Sequence, residues 1–338
     1  MSGGVDSSLT AALLKEQGYD VSGIYMKNWT RDIPGFVCPW KEDYKDAKAV
    51  AVSLGIPFAV FDFETDYRQA VVDYMLDSYR HGLTPNPDIM CNQEIKFKLF
   101  FSTALSNGAD LIATGHYART ADGKLFKGVD KDKDQSYFLY RVNSDSLKRT
   151  LFPLGNLTKA EVRKLAADKG LATADKPDSQ GICFVGEVGI KQFLVNELGE
   201  QQPGQIIDQH GQVIGEHDGA IFYTIGQRHG LKVGGGLPYY VTGKDMDKNI
   251  VYVTSDLNDK KLWSRRVYLT DIWWINNPAD DEQTYQVKTR YRADAVNCRF
   301  KDNCLYLDDE VRAVSPGQSA VIYAQDLVLG GGIIRYGE

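Results

Sequence analysis

Along the first half of the chain, apolar runs of strand length alternate with stretches of helical period. Ser7–Lys15 repeats its apolar residues at helical spacing and meets Gly18 just beyond its end. Val21–Met26 and Phe58–Phe63 are short apolar runs that predict strands, and Asp110–Ala113 reads the same way. Between them, Tyr44–Leu54 is helical and stops at Gly55-Ile56-Pro57; Tyr67–Tyr79 and Ile95–Leu105 are helical as well. Strands alternating with helices predict βαβ units, an α/β fold and a parallel sheet, with ligands at the carboxyl ends of its strands. Thr158–Lys169 is a further helix, opened by a capping box of Thr158 and Glu161 and closed by Gly170.

The texture changes after about residue 195. Gly, Val, Ile, Tyr and Trp then dominate short runs broken by turn residues such as Asp245–Asn249 and Asn276-Asn277-Pro278, a β-rich pattern. Gln202-Pro203-Gly204 reads as a linker, and Leu262–Arg265 as a second boundary. The predicted organisation is an α/β catalytic domain over 1–197, a β-rich central domain over 198–262 and a β-rich C-terminal domain over 263–338.

Composition adds limits. The chain has 338 residues, enough for two or three domains. It holds no apolar run long enough to span a membrane and no signal peptide, so a cytoplasmic location is expected. Its five cysteines are Cys38, Cys91, Cys183, Cys298 and Cys304. Odd in number, widely spaced and without a CxxC pair, they fit neither a secreted disulfide framework nor a zinc ribbon, and no metal ligands are assigned. The net charge of −6 argues against nucleic acid, but residues 288–301 carry Lys288, Arg290, Arg292, Arg299 and Lys301 against the single acid Asp294. That cluster is either a solvated strand face or a phosphate-binding one.

Ser2-Gly3-Gly4-Val5-Asp6-Ser7-Ser8 runs straight into the first helix. Two glycines let the backbone curl round an anion while the helix N-terminus offers its free N–H groups and Ser2, Ser7 and Ser8 add hydroxyls. It lacks the lysine of a Walker loop and the spacing of a dinucleotide fingerprint. The bland alternative is a glycine-rich turn with a serine cap. Two cysteines have distinctive surroundings. Cys91 follows Thr84-Pro85-Asn86-Pro87-Asp88-Ile89-Met90 and precedes a helix expected near Gln93, a place where a thiol's pKa falls. Cys183 lies in Asp178-Ser179-Gln180-Gly181-Ile182-Cys183-Phe184-Val185-Gly186. Taken singly, each reads more readily as a structural cysteine than as a reactive one.

The opening loop resembles the SGGxDS pyrophosphate loop of the N-type ATP pyrophosphatases, which cleave ATP between the α- and β-phosphates. With both cysteine segments, Gly23–Trp29, Ala113–Tyr117, Lys133–Phe138, Phe152–Gly155, Tyr223–Arg228, Lys288–Tyr291 and Ser315–Ala320, nearly the whole chain resembles the tRNA 2-thiouridylases. An unfamiliar stretch at Arg31–Trp40 departs from the pattern. The family also has a short strand before the loop, whereas this sequence opens at the loop itself. About five or six apolar β-branched residues are therefore expected from codons upstream of Met1; otherwise the domain lacks its first strand.

The resemblance implies a pyrophosphatase domain followed by β-rich domains, the last a β-barrel, and a tRNA-uridine 2-sulfurtransferase acting on wobble position 34. It implies that Met1, Ser2, Gly3, Gly4, Val5, Asp6 and Ser7 hold ATP, with Met26 and Gly115 on the adenine. Asn86, Pro87 and Asp88 would meet the target base, Asp88 as acid or base, and His116, Lys133, Asp134, Gln135, Arg290, Tyr291 and Gln318 would contact tRNA. Cys183 would carry a persulfide and Cys91 would form a transient disulfide with it. ATP with Mg²⁺, wobble-uridine tRNAs for Lys, Glu and Gln, and a cysteine desulfurase or sulfur-relay donor complete the expectation. Two alternatives stay open: a pyrophosphate-loop ligase using ammonia, which needs neither cysteine, and a tRNA-binding protein with a decayed nucleotide site.

Overall fold

The computed structural model describes residues 1–35, 37–178, 189–231, 233–234, 236 and 238–337. Helix α1 (Val5–Glu16) leaves the glycine loop directly and buries Leu9, Ala12 and Leu14. Strand β1 (Gly23–Lys27) pairs in parallel with β2 (Phe58–Asp62) across helix α2 (Trp40–Leu54), which ends at a left-handed Gly55. A continuous helix, α3, runs through Glu64–Tyr67, Arg68–Asp73 and Tyr74–Arg80, its middle third wound as π-helix. A second, α4, runs through Pro87–Met90, Cys91–Phe100 and Phe101–Ser106, again with a π-helical middle. Strand β3 (Ile112–Ala113) pairs in parallel with β6 (Thr150–Leu151), which follows the short helix α5 (Ser144–Lys148). Helix α6 (Lys159–Asp168) packs on α1 through Val162 and Ala166 and shows the expected reciprocal Thr158–Glu161 capping box. Helix α7 (Ile190–Leu198) closes the α/β part.

Two further β-layers follow. In the central one, β7 (Gly204–Ile207), β8 (Val213–His217), β9 (Tyr240–Asp245) and β10 (Ile250–Thr254) form a sheet ordered β8-β7-β10-β9 over a core of Ile206, Tyr223, Val241, Val251 and Val253. The C-terminal strands are β11 (Trp263–Trp274), β12 (Tyr285–Lys288), β13 (Val296–Lys301), β14 (Cys304–Arg312), β15 (Ser319–Ala324) and β16 (Leu327–Ile334). They run β11-β14-β13-β12-β15-β16, and β16 returns to β11, which closes a barrel. A closed barrel has no exposed edge.

One connection crosses from the first part to the last. The hairpin β4 (Ala118–Ala121) and β5 (Lys124–Lys127) belongs in sequence to the α/β region, yet β5 pairs with β16 through Leu327↔Phe126 and Val328↔Leu125. Leu125, Tyr137 and Tyr140 share one core with Val321, Tyr323 and Val328. Tyr137 donates its hydroxyl hydrogen bond to the Ser319 carbonyl at 2.8 Å. Nothing in the local pattern of residues 118–127 announces this partner, about 200 residues away.

Candidate active site

The opening loop is held from inside. Gly3 has φ +75°, and a Cβ there would stand 2.4 Å from the Asp43 carbonyl oxygen, so the turn admits glycine alone. Ser2 N–H donates to Ser7 Oγ at 3.1 Å, and Ser7 Oγ in turn donates to the Gly4 carbonyl. Ser8, expected to face an anion, is instead fully buried and bonds back to the Gly4 carbonyl at 2.9 Å, as a serine one turn into a helix can. Asp6, in the first turn, accepts from Tyr117 Oη at 2.7 Å and from Lys159 Nζ at 2.8 Å.

Beside the loop lies a cleft of about 860 Å³, within the range of small-molecule sites. Met1, Ser2, Asp6, Ser7, Met26 on β1, and Gly115 and His116 just after β3 all border it. Gly115 approaches the loop so closely that a Cβ would lie 2.9 Å from the Asp6 carbonyl carbon. The cleft thus joins the N-terminus of α1 to Met26 and Gly115, the residues expected to meet the phosphates and the adenine.

Lys96 of α4 also lines the cleft, and its Nζ donates to Asn92 Oδ1 at 3.0 Å. Asn92 adjoins Cys91, so one helix connects this cleft to the cysteine. Lys96 was not expected from sequence, although its spacing of four from Asn92 places both on one helix face. Cys91 is 5% exposed. The sequence predicted a helix from about Gln93 with Cys91 at its N-terminus. Instead Asn86 caps the helix by accepting from Ile89 N–H, and Pro87 takes the first position. Cys91 therefore sits more than a turn inside, where the helix dipole is weaker. Asp88, half-buried in the first turn, has its carboxyl pKa raised by burial, with nearby Lys96 only partly offsetting this.

On the acid–base role that the resemblance implies for Asp88, Asp88→Asn is expected to lower the implied sulfur-transfer activity by about 10²- to 10⁴-fold. Stability should respond in the opposite direction. A carboxyl raised above its unfolded value of 3.8 favours the fold only while protonated, and that contribution is lost as pH rises through the folded pKa. Thermal unfolding of Asp88→Asn at pH 7 should thus occur at or above the wild-type temperature; a lower one contradicts the burial argument.

The residues expected to contact tRNA divide in two. Arg290 is exposed, with one bond to the Ala313 carbonyl at 3.2 Å. Tyr291 rests on Phe138 at 4.3 Å between ring centres, and the Phe138 carbonyl accepts from Asn92 at 3.1 Å, which links this turn to the helix that carries Cys91. The basic stretch is not one strand: Lys288 ends β12, Arg290 and Arg292 lie in the turn, and Arg299 and Lys301 belong to β13.

The others are engaged internally. Asp134 is 6% exposed and accepts from Gly128 N–H, Ser136 N–H and Ser136 Oγ. Gln135 braces Tyr117 through backbone and side chain. Gln318 donates to the Thr84 carbonyl at 2.7 Å, holding the turn before Asn86. His116, 9% exposed, bonds Thr114 through Nδ1 and packs against Phe97 and Phe152; burial, helped by Lys96, pushes its pKa well down, so it is a neutral ring at the cleft. Lys133 pairs with Asp178 at 2.8 Å. Cys183 lies outside the described residues, as does the rest of 179–188.

Comparison with known proteins follows the same order along the chain. Residues 1–187 match the family model described as the tRNA methyl transferase HUP domain, 191–255 its PRC-barrel domain, and 264–334 the aminomethyltransferase beta-barrel domain. Curated relatives include the tRNA-specific 2-thiouridylase MnmA of Bacillus mycoides (strain KBAB4) and that of Bacillus anthracis. Both are 48% identical over 99% of this chain and 93% of the relative. The protein of the same name from Listeria monocytogenes serotype 4b matches to the same extent. Among solved structures, a predicted tRNA methyltransferase subunit from Methanocaldococcus jannaschii aligns at 20% identity, covering 49% of this chain and 73% of that one, and its TM-score of 0.34 is too low to bear on the argument.

Proposed function

This chain belongs to the tRNA-specific 2-thiouridylase family, and from that premise we propose how its own residues perform the reaction. It is a tRNA-uridine 2-sulfurtransferase that uses ATP and replaces the carbon-2 oxygen of a tRNA uridine with sulfur. The observation that carries the residue assignment is the link through α4: Lys96 borders the nucleotide cleft and bonds Asn92, the neighbour of Cys91.

The proposed sequence has three steps. The carbon-2 oxygen of the wobble uridine attacks the α-phosphorus of ATP held over Ser2–Ser7, and pyrophosphate leaves. The terminal sulfur of a Cys183 persulfide then attacks carbon 2, and AMP departs with the oxygen. Finally the Cys91 thiolate attacks Cys183 Sγ; the S–S bond breaks toward the base, giving 2-thiouridine and a Cys91–Cys183 disulfide. An external thiol must reduce that disulfide, and a cysteine desulfurase or relay protein must reload the persulfide. In a variant of the last step, Cys91 frees hydrosulfide before carbon 2 is attacked. Asp88 accepts or returns protons at the base. Magnesium would be held chiefly by the phosphates, with Asp6 the one carboxylate in the loop. Among the described residues no helix is long and apolar enough to cross a membrane.

The purified protein, given ATP, unmodified tRNA for Lys, Glu or Gln and a persulfide donor, should yield 2-thiouridine at position 34 with one AMP and one pyrophosphate each. Mass analysis of the tRNA digest reads this out. Its absence, with ammonia-dependent product instead, would favour the ligase reading.

Arg290 provides a second check. Arg290→Ala should weaken tRNA binding and reduce the slope of log affinity against log salt by about 1, while ATP affinity stays unchanged. An unaltered slope across several salt concentrations removes Arg290 from the interface.

A further inference from the structure

The opening loop contains no lysine, yet one reaches it from elsewhere. Lys159, first residue of α6, lies with its side chain 13% exposed and its ammonium 2.8 and 3.0 Å from the two carboxylate oxygens of Asp6. The same Nζ is 2.8 Å from Asp178 Oδ1. Asp178 in turn also receives Lys133 at 2.8 Å and Arg163 at 2.9 Å, so three cations converge on one carboxylate. Its carboxyl is held at about 2: burial raises the pKa, but the bonds from Lys133 and Lys159 outweigh that. Lys159 is fixed from behind, since its backbone N–H donates to Asp130 Oδ2 and its ammonium lies 5.6 Å from the Tyr117 ring centre. Tyr117 itself bonds Asp6.

Lys133, Lys159 and Arg163 thus gather on one carboxylate beside the loop, a concentration of positive charge suited to a polyphosphate. We propose that Lys159, which pairs with Asp6 and Asp178, is a phosphate-binding residue of the nucleotide site, and that Asp178 competes with the β- and γ-phosphates for it. The inference rests on the ATP-dependent reading above. It supplies the cation that the loop lacks, and it makes Asp178 an antagonist of nucleotide binding. A lysine serving only to anchor α6 would give no such antagonism.

The test is calorimetric titration of the full-length protein with α,β-methylene-ATP and, separately, with AMP. Lys159→Met should weaken the triphosphate about 10- to 100-fold, the scale of one charge-assisted hydrogen bond, and leave AMP within about twofold. Lys159→Arg should recover most of the loss. Asp178→Asn should bind the triphosphate severalfold more tightly than wild type, a gain that misfolding cannot produce. Equal triphosphate affinity in Lys159→Met, an equal loss for AMP, or no tightening in Asp178→Asn overturns the proposal while the thiolation reading stands. A wild-type protein that binds no triphosphate overturns both.

Discussion

Cys91→Ser is expected to release pyrophosphate at near the wild-type rate while forming 2-thiouridine at least about 10³-fold more slowly, as when a nucleophile is removed from an otherwise intact site. The separation follows from the layout. In the proposed sequence adenylation uses the loop at the start of α1 and the cleft it borders, whereas Cys91 sits on α4 among Ile89 and Ile95. Replacing a buried thiol with a hydroxyl carries its own cost of about 1–3 kcal/mol when the hydroxyl lacks a partner. Cys91→Ala should therefore be measured alongside, with thermal unfolding of both. Cys183→Ser should behave alike in turnover, and that half of the expectation rests on sequence alone. Thiouridine formed at the wild-type rate by either cysteine variant would rule out the two-cysteine mechanism.

Gly115→Ala should fail at the other end of the reaction. The added methyl would stand 2.9 Å from the Asp6 carbonyl carbon and 3.0 Å from the Ser7 nitrogen. Those are backbone atoms of the phosphate loop, which cannot rotate aside as a side chain can. Overpacking of this kind costs about 1–3 kcal/mol, which taken from binding weakens ATP about 10- to 100-fold. Affinity for tRNA, which the proposal assigns to the Arg290–Tyr291 turn, should change little. Calorimetry with ATP and filter binding with tRNA separate the two effects, and wild-type ATP affinity would show that Gly115 does not set the loop's position.

How much of this could be read in the chain depends on how local each feature is. The glycine loop was legible because its chemistry is contiguous, and the α6 capping box because its two partners are three residues apart. The start of α4 carried a readable signal, Asn86 as cap and Pro87 at the first position, but paired prolines also describe a turn, and the helix was placed too late. Asp134 shows a different limit: the resemblance places it among the tRNA contacts, and only the fold reveals that Gly128 and Ser136 donate to its carboxylate. Lys159 was missed because its partners Asp6 and Asp178 lie far away in sequence. The pairing of β5 with β16 was beyond reach for the same reason, since a four-residue strand carries no record of a distant neighbour.

That hairpin bears on how such a chain can be inherited. The three family models meet between residues as if the parts could be shuffled. Yet the last part arrives with a socket on β16 that residues 124–127 fill, and Arg119 reaches past them to Asp326 at 3.0 Å. A recombination that exchanged the C-terminal barrel alone would leave an unmatched ladder on both sides of the junction. Residues 118–127 thus serve two parts at once: by sequence they belong to the α/β region, and by pairing they belong to the barrel.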